Sequence, residues 1–249
     1  MELTGNTILI TGGGSGIGEA LAHRFHDSGN VVVIAGRRAE ALDRACAGRA
    51  NMHSIVFDVS DADATRDFAR QLLERFPDLN VLINNAGIMR LEGIAASRDL
   101  ADAQSTIETN LLGPIRLIDA LVDHLAAMPA SAIINVTSGL AFVPLVAAAS
   151  YSASKAARHT YTVSLRKALA GRVEVIELAP PAVQTSLTPG QESREGYQPL
   201  DSFADEVIAL FGQSPTPPEI LVTNVQPFRR AEADGTFQQW LDGLNGSAS

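Results

Sequence analysis

Thr7-Ile8-Leu9-Ile10-Thr11-Gly12-Gly13-Gly14-Ser15-Gly16-Ile17-Gly18 is the stretch that decides the fold. Thr7 to Ile10 reads as a strand, and the glycine-rich turn that follows opens directly into a helix from Gly16 to Ser28, with Ala20, Leu21 and Phe25 on one face. Glycines in a strand-to-helix turn let the backbone approach a pyrophosphate, whose charge is favoured at the helix N-terminus. Any tight turn can use glycine, so the weight rests on context: this turn follows the first strand and heads a helix. The spacing is Gly-x3-Gly-x-Gly, not Gly-x-Gly-x-x-Gly.

Outward from the turn, short β-branched runs alternate with helical patterns. Val31–Ala35 is an apolar run suited to a strand buried on both faces of a sheet. Strands are expected at Ser54–Phe57, Val81–Asn84, Ala132–Thr137 and Val173–Leu178, and helices at Ala39–Ala47, Asp61–Phe76, around Asp102–Ala126 and at Ser152–Ala170. This alternation predicts an α/β fold with a parallel sheet covered by helices. Seven of the 12 prolines fall between Pro180 and Pro218, so that stretch is read as loop around one short helix near Leu200–Phe211. Glu219-Ile220-Leu221-Val222 is expected to add a last strand before a short C-terminal tail with Phe237 and Trp240.

The 249 residues are 46% apolar and 19% charged, with 28 acids against 19 bases for a net charge of −9. That balance excludes disordered and collagen-like classes and argues against nucleic acid or an anionic membrane as the main partner. A single domain over 1–249 is expected, since no linker, repeat or low-complexity tract divides the chain. Cys46 is the sole cysteine, so an internal disulfide and a multi-cysteine zinc site are out. His23 and His26 share a helix face without a third ligand, and no metal is expected. The polar, acidic start and the lack of an apolar run near ~20 residues point to a cytoplasmic protein with a small-molecule ligand.

Further motifs fall in a telling order. Asp58-Val59 follows the third strand, Asn84-Asn85-Ala86-Gly87 closes the fourth, and Asn110 lies in the long helix. Ser138 ends the fifth strand, and Tyr151-Ser152-Ala153-Ser154-Lys155 follows. The set resembles the classical short-chain dehydrogenase/reductase family from about Thr11 to Thr185. The resemblance implies a doubly wound (Rossmann) parallel sheet with helices on both faces. It also implies an NAD(P)H-dependent oxidoreductase that transfers hydride between a nicotinamide and a carbonyl or secondary alcohol.

Residues i and i+4 share a helix face, so Tyr151 and Lys155 can address one ligand. Free tyrosine titrates near ~10, and a neighbouring ammonium lowers that value toward a usable range. By resemblance Tyr151 protonates the substrate oxygen, Ser138 holds that oxygen, Lys155 binds the nicotinamide ribose and biases Tyr151, and Asn110 holds a water linking Lys155 to solvent. The cofactor is expected along Gly12, Ser15, Gly16, Ile17 and Gly18, at Arg37, Arg38, Asp58 and Val59, and beside Asn85, Ala86 and Gly87. Tyr151, Lys155, Val183 and Thr185 would contact its nicotinamide half.

An acid at the end of the second strand would bind the adenosine ribose of NAD. Here the chain reads Ala35-Gly36-Arg37-Arg38, so NADP(H) is expected over NAD(H), which stays possible. Pro180-Pro181-Ala182-Val183-Gln184-Thr185 departs from the family's Pro-Gly-x-Val-x-Thr and resembles a Pro-Pro subgroup of bacterial short-chain oxidoreductases. A substrate lid is expected over 186–199, with Gly190 and Gly196 as flexible points. Met89, Leu140, Phe142, Leu145 and Leu187 are candidate apolar walls, which suggests a hydrophobic ketone or aldehyde, with Arg90 at the rim. The resemblance further implies a homodimer or homotetramer. Two alternatives stay open: a catalytically silent dinucleotide-binding redox sensor, and an epimerase or dehydratase, for which little chain is left after Val222.

Overall fold

Successive residues of the first strand point to opposite sides, Ile8 and Ile10 into one apolar cluster and Leu9 into another. The same alternation runs through Val32, Val33 and Ile34 and through Val81, Leu82 and Ile83, as expected of strands covered on both faces. A computed structural model describes residues 1–246. Among them the strands are β1 (Thr7–Thr11), β2 (Val31–Gly36), β3 (Met52–Val56), β4 (Leu79–Asn84), β5 (Ala132–Val136), β6 (Glu174–Leu178) and β7 (Glu219–Ile220). They form one parallel sheet in the order β3-β2-β1-β4-β5-β6-β7.

The helices are α1 (Gly16–Asp27), α2 (Ala39–Cys46), α3 (Ala64–Arg75), α4 (Ala101–Ile107), α5 (Gly113–Ala127), α6 (Ala149–Ala168), α7 (Leu200–Phe211), α8 (Gln226–Arg230) and α9 (Phe237–Asn245). Phe25 of α1 and Phe211 of α7 meet at 5.9 Å between ring centroids on one face of the sheet. Leu72 of α3 and Leu117 and Leu121 of α5 fill the other face. The fold is thus the doubly wound sheet with helices on both faces. β1 and β4 are neighbours whose chains leave in opposite directions, so a crevice opens at their C-terminal ends, where such sheets bind ligands.

Several expected boundaries move. β3 begins at Met52, paired with Val32, and ends before Phe57, whose ring instead stacks on Phe68 at 3.9 Å. β7 keeps only Glu219 and Ile220, because Glu206 accepts the Thr223 N–H at 2.7 Å and the chain turns there. The long helix is interrupted by a π turn, Glu108–Leu112, between α4 and α5, and Asn110 sits in it. A π turn widens the helix by one residue and re-aims the side chain it carries.

Candidate active site

The glycine turn is tight for a steric reason. Gly12 has φ +68°, and a Cβ there would lie 2.9 Å from Ala86 Cα. A Cβ on Gly18 would lie 2.4 Å from the Gly12 carbonyl oxygen, so α1 can start this close to β1 only without a side chain. Gly18→Ala is expected to displace the turn, lower stability by about 1–3 kcal/mol and weaken cofactor binding, read by thermal melting and cofactor titration. Thr11 Oγ1 accepts the Asn85 and Ala86 N–H groups at 3.0 and 3.1 Å, and Asn85 Nδ2 donates to Thr11 O at 2.9 Å and Gly12 O at 3.3 Å. The Asn85 side chain therefore fastens the β4 exit to the turn.

These elements frame a cleft of about 450 Å³ at the C-terminal ends of the strands. Of the residues expected to carry catalysis or hold the cofactor, Gly18 and Asn110 do not line it, and the others do. Gly18 is buried in α1 against Gly12, since it serves helix packing. At the end of β2 Gly36 leaves no carboxylate, Arg38 Nη2 donates to Ser15 Oγ at 3.3 Å, and Arg37 lies 3.9 Å from Asp58. Asp58 itself accepts from Ser60 N and Ser60 Oγ at 2.9 and 2.7 Å.

At the other end α6 presents Tyr151 and Lys155 one turn apart, with Lys155 Nζ 5.5 Å from the Tyr151 ring centroid. Both are buried, and Lys155 Nζ donates to Val136 O at 2.9 Å. Ser138, beside Tyr151, accepts the Leu140 N–H at 3.1 Å and so caps the short turn Gly139–Ala141 as well. Burial pushes the Tyr151 phenol up to about 12, against a downward pull from Ser138 and Arg158. Burial holds the Lys155 ammonium well below its ordinary range, and Arg158 pushes it the same way.

Asn110 differs from its expected place. It is fully buried, Nδ2 donating to Ile88 O at 2.9 Å and Ser154 Oγ at 3.2 Å, while Oδ1 accepts the Ile88 N–H at 2.8 Å. Its side chain satisfies both backbone groups of Ile88 and so shapes the loop after β4. Of the five candidate apolar walls Leu187 lines the cleft, whereas Met89, Leu140, Phe142 and Leu145 do not. Phe142 turns away to meet His159 edge-on at 5.2 Å and lies under Arg229. Ile88, Pro180 and Pro181 take the wall positions, and Arg90 joins them.

Two residues escaped the sequence reading. Gln191, in the segment expected to be a lid, is buried and donates to Val183 O at 2.8 Å and Thr185 Oγ1 at 3.1 Å. The ends of that segment are joined by the bridge between Val183 and Gln198. Arg158, three residues beyond Lys155, is buried under the site. His159, Glu177 and Glu219 also gather, their ligand atoms within 4.8 Å of one another. Arg229 grips Glu219 through two bonds at 2.8 and 3.0 Å, and His159 bonds Glu177 at 2.7 Å, so these atoms hold each other.

The glycine turn without side chains, the arginine pair and the buried tyrosine and lysine in one cleft fit a nicotinamide dinucleotide. No helix among the described residues is long and apolar enough to cross a membrane. Comparison with known proteins agrees with the geometry. The family model described as short chain dehydrogenase matches residues 6–196. The uncharacterized oxidoreductase DltE of Bacillus subtilis is 37% identical over 246 residues, covering 96% of this chain and 98% of that protein. Serine 3-dehydrogenase of Agrobacterium fabrum is 35% identical over 185 residues, 73% of this chain and 74% of that protein. A short chain dehydrogenase from Burkholderia cenocepacia, solved in complex with NADP, superposes with a TM-score of 0.81 at 27% identity, over 98% of this chain and 99% of that one. The sequence match runs through the whole cofactor side of the sheet and the tyrosine helix, and the chain is an oxidoreductase belonging to the short chain dehydrogenase family.

Proposed function

We propose that this chain is an NADPH-dependent carbonyl reductase or alcohol dehydrogenase acting on a hydrophobic ketone or aldehyde. The observation that carries this reading is the convergence of Ser138 and Tyr151 with the glycine turn in one cleft. Bound nicotinamide supplies the hydride for the substrate carbon in the reducing direction. Tyr151 Oη gives its proton to the substrate oxygen, and Ser138 Oγ holds that oxygen in place. Lys155 binds the nicotinamide ribose hydroxyls, and its charge beside the Tyr151 ring then favours the phenolate. Asn110 holds both backbone groups of Ile88 and so shapes the loop after β4 that borders the cleft. Val183 and Thr185, tied by Gln191, orient the ring through its carboxamide. Leu187, Ile88 and Pro181 supply the apolar wall for the substrate.

Three observations support NADP(H). Gly36 stands where an acid would repel a 2′-phosphate, Arg38 and Ser15 are joined beside it, and the similar Burkholderia protein was solved with NADP. Arg38→Ala is expected to weaken NADPH binding by tenfold to over a hundredfold, from a charge-assisted bond of about 1.5–3 kcal/mol, and to leave NADH nearly unchanged. Fluorescence titration of both reduced cofactors checks this, and tighter NADH binding by the parent chain would refute it. The whole chain acts as one cytoplasmic domain, and the helices bearing Asn110 and Tyr151 pair copies into a homodimer or homotetramer. Turnover compared across apolar and anion-bearing carbonyls tests the substrate class, and a consistent preference for anionic ones would overturn it in favour of a role for Arg90.

A further inference from the structure

Under the cleft lies a layer of buried polar groups that the proposed mechanism does not use. Its centre is Arg158 of α6, 1% exposed and among the largest fully buried side chains of the chain. It stands three residues beyond Lys155 and seven beyond Tyr151, on the same helix face. Nη2 donates to the Asn84 carbonyl at the end of β4, and Nη1 approaches the Asn110 carbonyl in the π turn at 3.5 Å. The layer continues from Asn84 Nδ2 to Asn135 Oδ1 at 3.0 Å, from Asn135 Nδ2 to Thr162 Oγ1 at 3.0 Å, and from Thr162 Oγ1 to the Arg158 carbonyl at 2.7 Å.

What the packing leaves unexplained is the charge. Among the described residues Arg158 Nε has no hydrogen-bond partner, and no carboxylate pairs with the guanidinium. Glu177 of β6 reaches it through space but is bonded instead by Thr137 Oγ1 at 2.6 Å and His159 Nδ1 at 2.7 Å. A neutral donor could serve the Asn84 carbonyl, and burying an unpaired cation is costly. The titratable and charged groups facing Arg158 are Tyr151 and Lys155 on α6 and Glu177 on β6, with His159 behind Glu177. β4, β5 and the π turn contribute the neutral amides of Asn84, Asn135 and Asn110.

We propose that Arg158 is a positioning residue: its fixed charge under the Tyr151–Lys155 pair eases loss of the Tyr151 proton, while its N–H groups hold the Asn84 and Asn110 carbonyls beneath the cleft. Burial draws the guanidinium down to about 9, still above the neutral range, so it stays charged where the protein works. The same charge pulls the Tyr151 phenol down and further disfavours the Lys155 ammonium.

The inference rests on the cofactor reading above, and its test separates the two. NADP+ binding is first measured by calorimetry; failure to bind would remove the NADP reading, and the comparison is then made with NAD+. The phenolate ultraviolet absorbance of the cofactor-bound chain, less that of Tyr151→Phe, isolates Tyr151 from Tyr161 and Tyr197. In Arg158→Gln the midpoint is expected to rise by about one pH unit or more, with cofactor affinity within about threefold of the parent. Arg158→Met serves if the glutamine variant does not fold, since apolar replacement of a buried charge is commonly tolerated. An unmoved or lowered midpoint overturns the proposal. A raised midpoint with cofactor affinity lost also overturns it, because the arginine would then act only by holding the cleft together.

Discussion

Tyr151→Phe is expected to lower carbonyl turnover by a hundredfold to ten-thousandfold, the range general acid catalysis supplies, while NADPH affinity stays within about threefold. The substitution removes one oxygen from a buried ring and leaves α6, Ser138 and the glycine turn in place. Steady-state kinetics beside a cofactor titration separate the two effects. The parent chain also makes a prediction about pH. With burial pushing the phenol up to about 12 in the free protein, Tyr151 keeps its proton across the neutral range. Carbonyl reduction should therefore hold level through neutrality and fall only in alkali. Alcohol oxidation needs the phenolate and should climb as pH rises.

Lys155→Met carries the second large effect. Turnover should fall by at least about a hundredfold, and here cofactor affinity should fall too, because the ammonium that would bind the ribose is gone. Stability should behave differently. Lys155 is buried, with its ammonium disfavoured by burial and by Arg158, so methionine removes a group the folded protein accommodates at a cost. Replacing buried charges by apolar side chains is often neutral or stabilising by about 1–4 kcal/mol, offset here by the Val136 carbonyl that loses its donor. Tm should therefore stay within about 4 °C of the parent or rise. A fall of about 10 °C would make Lys155 a structural strut and remove it from the catalytic set.

Those two residues were legible because their signal is local. A tyrosine and lysine four apart need only a helix to share a face, and a glycine turn between strand and helix declares its own conformation. Alternating strands and helices fixed the parallel sheet for the same reason. What stayed hidden depends on contacts made across the fold. Arg158 reads in sequence as a solvated charge on a helix, although its spacing of three from Lys155 and seven from Tyr151 placed it on the active face. The π turn that buries Asn110 has no signature in a run that reads as continuous helix. Phe142 is apolar and so a candidate pocket wall, but the short turn at Gly139–Ala141 carries it away toward His159. Gln191 finds its partners only once the segment after Thr185 folds back on Val183.

The central claim is that one cleft joins NADPH to a carbonyl through Tyr151. Its most direct test is NADPH oxidation by the purified chain across a broad panel of aldehydes and ketones, with Tyr151→Phe run in parallel. The account predicts that at least one carbonyl is reduced with matching loss of NADPH, and that the phenylalanine variant does so at least about a hundredfold more slowly. Tight NADPH binding with no oxidation on any member of the panel would contradict it and favour a silent sensor of redox state.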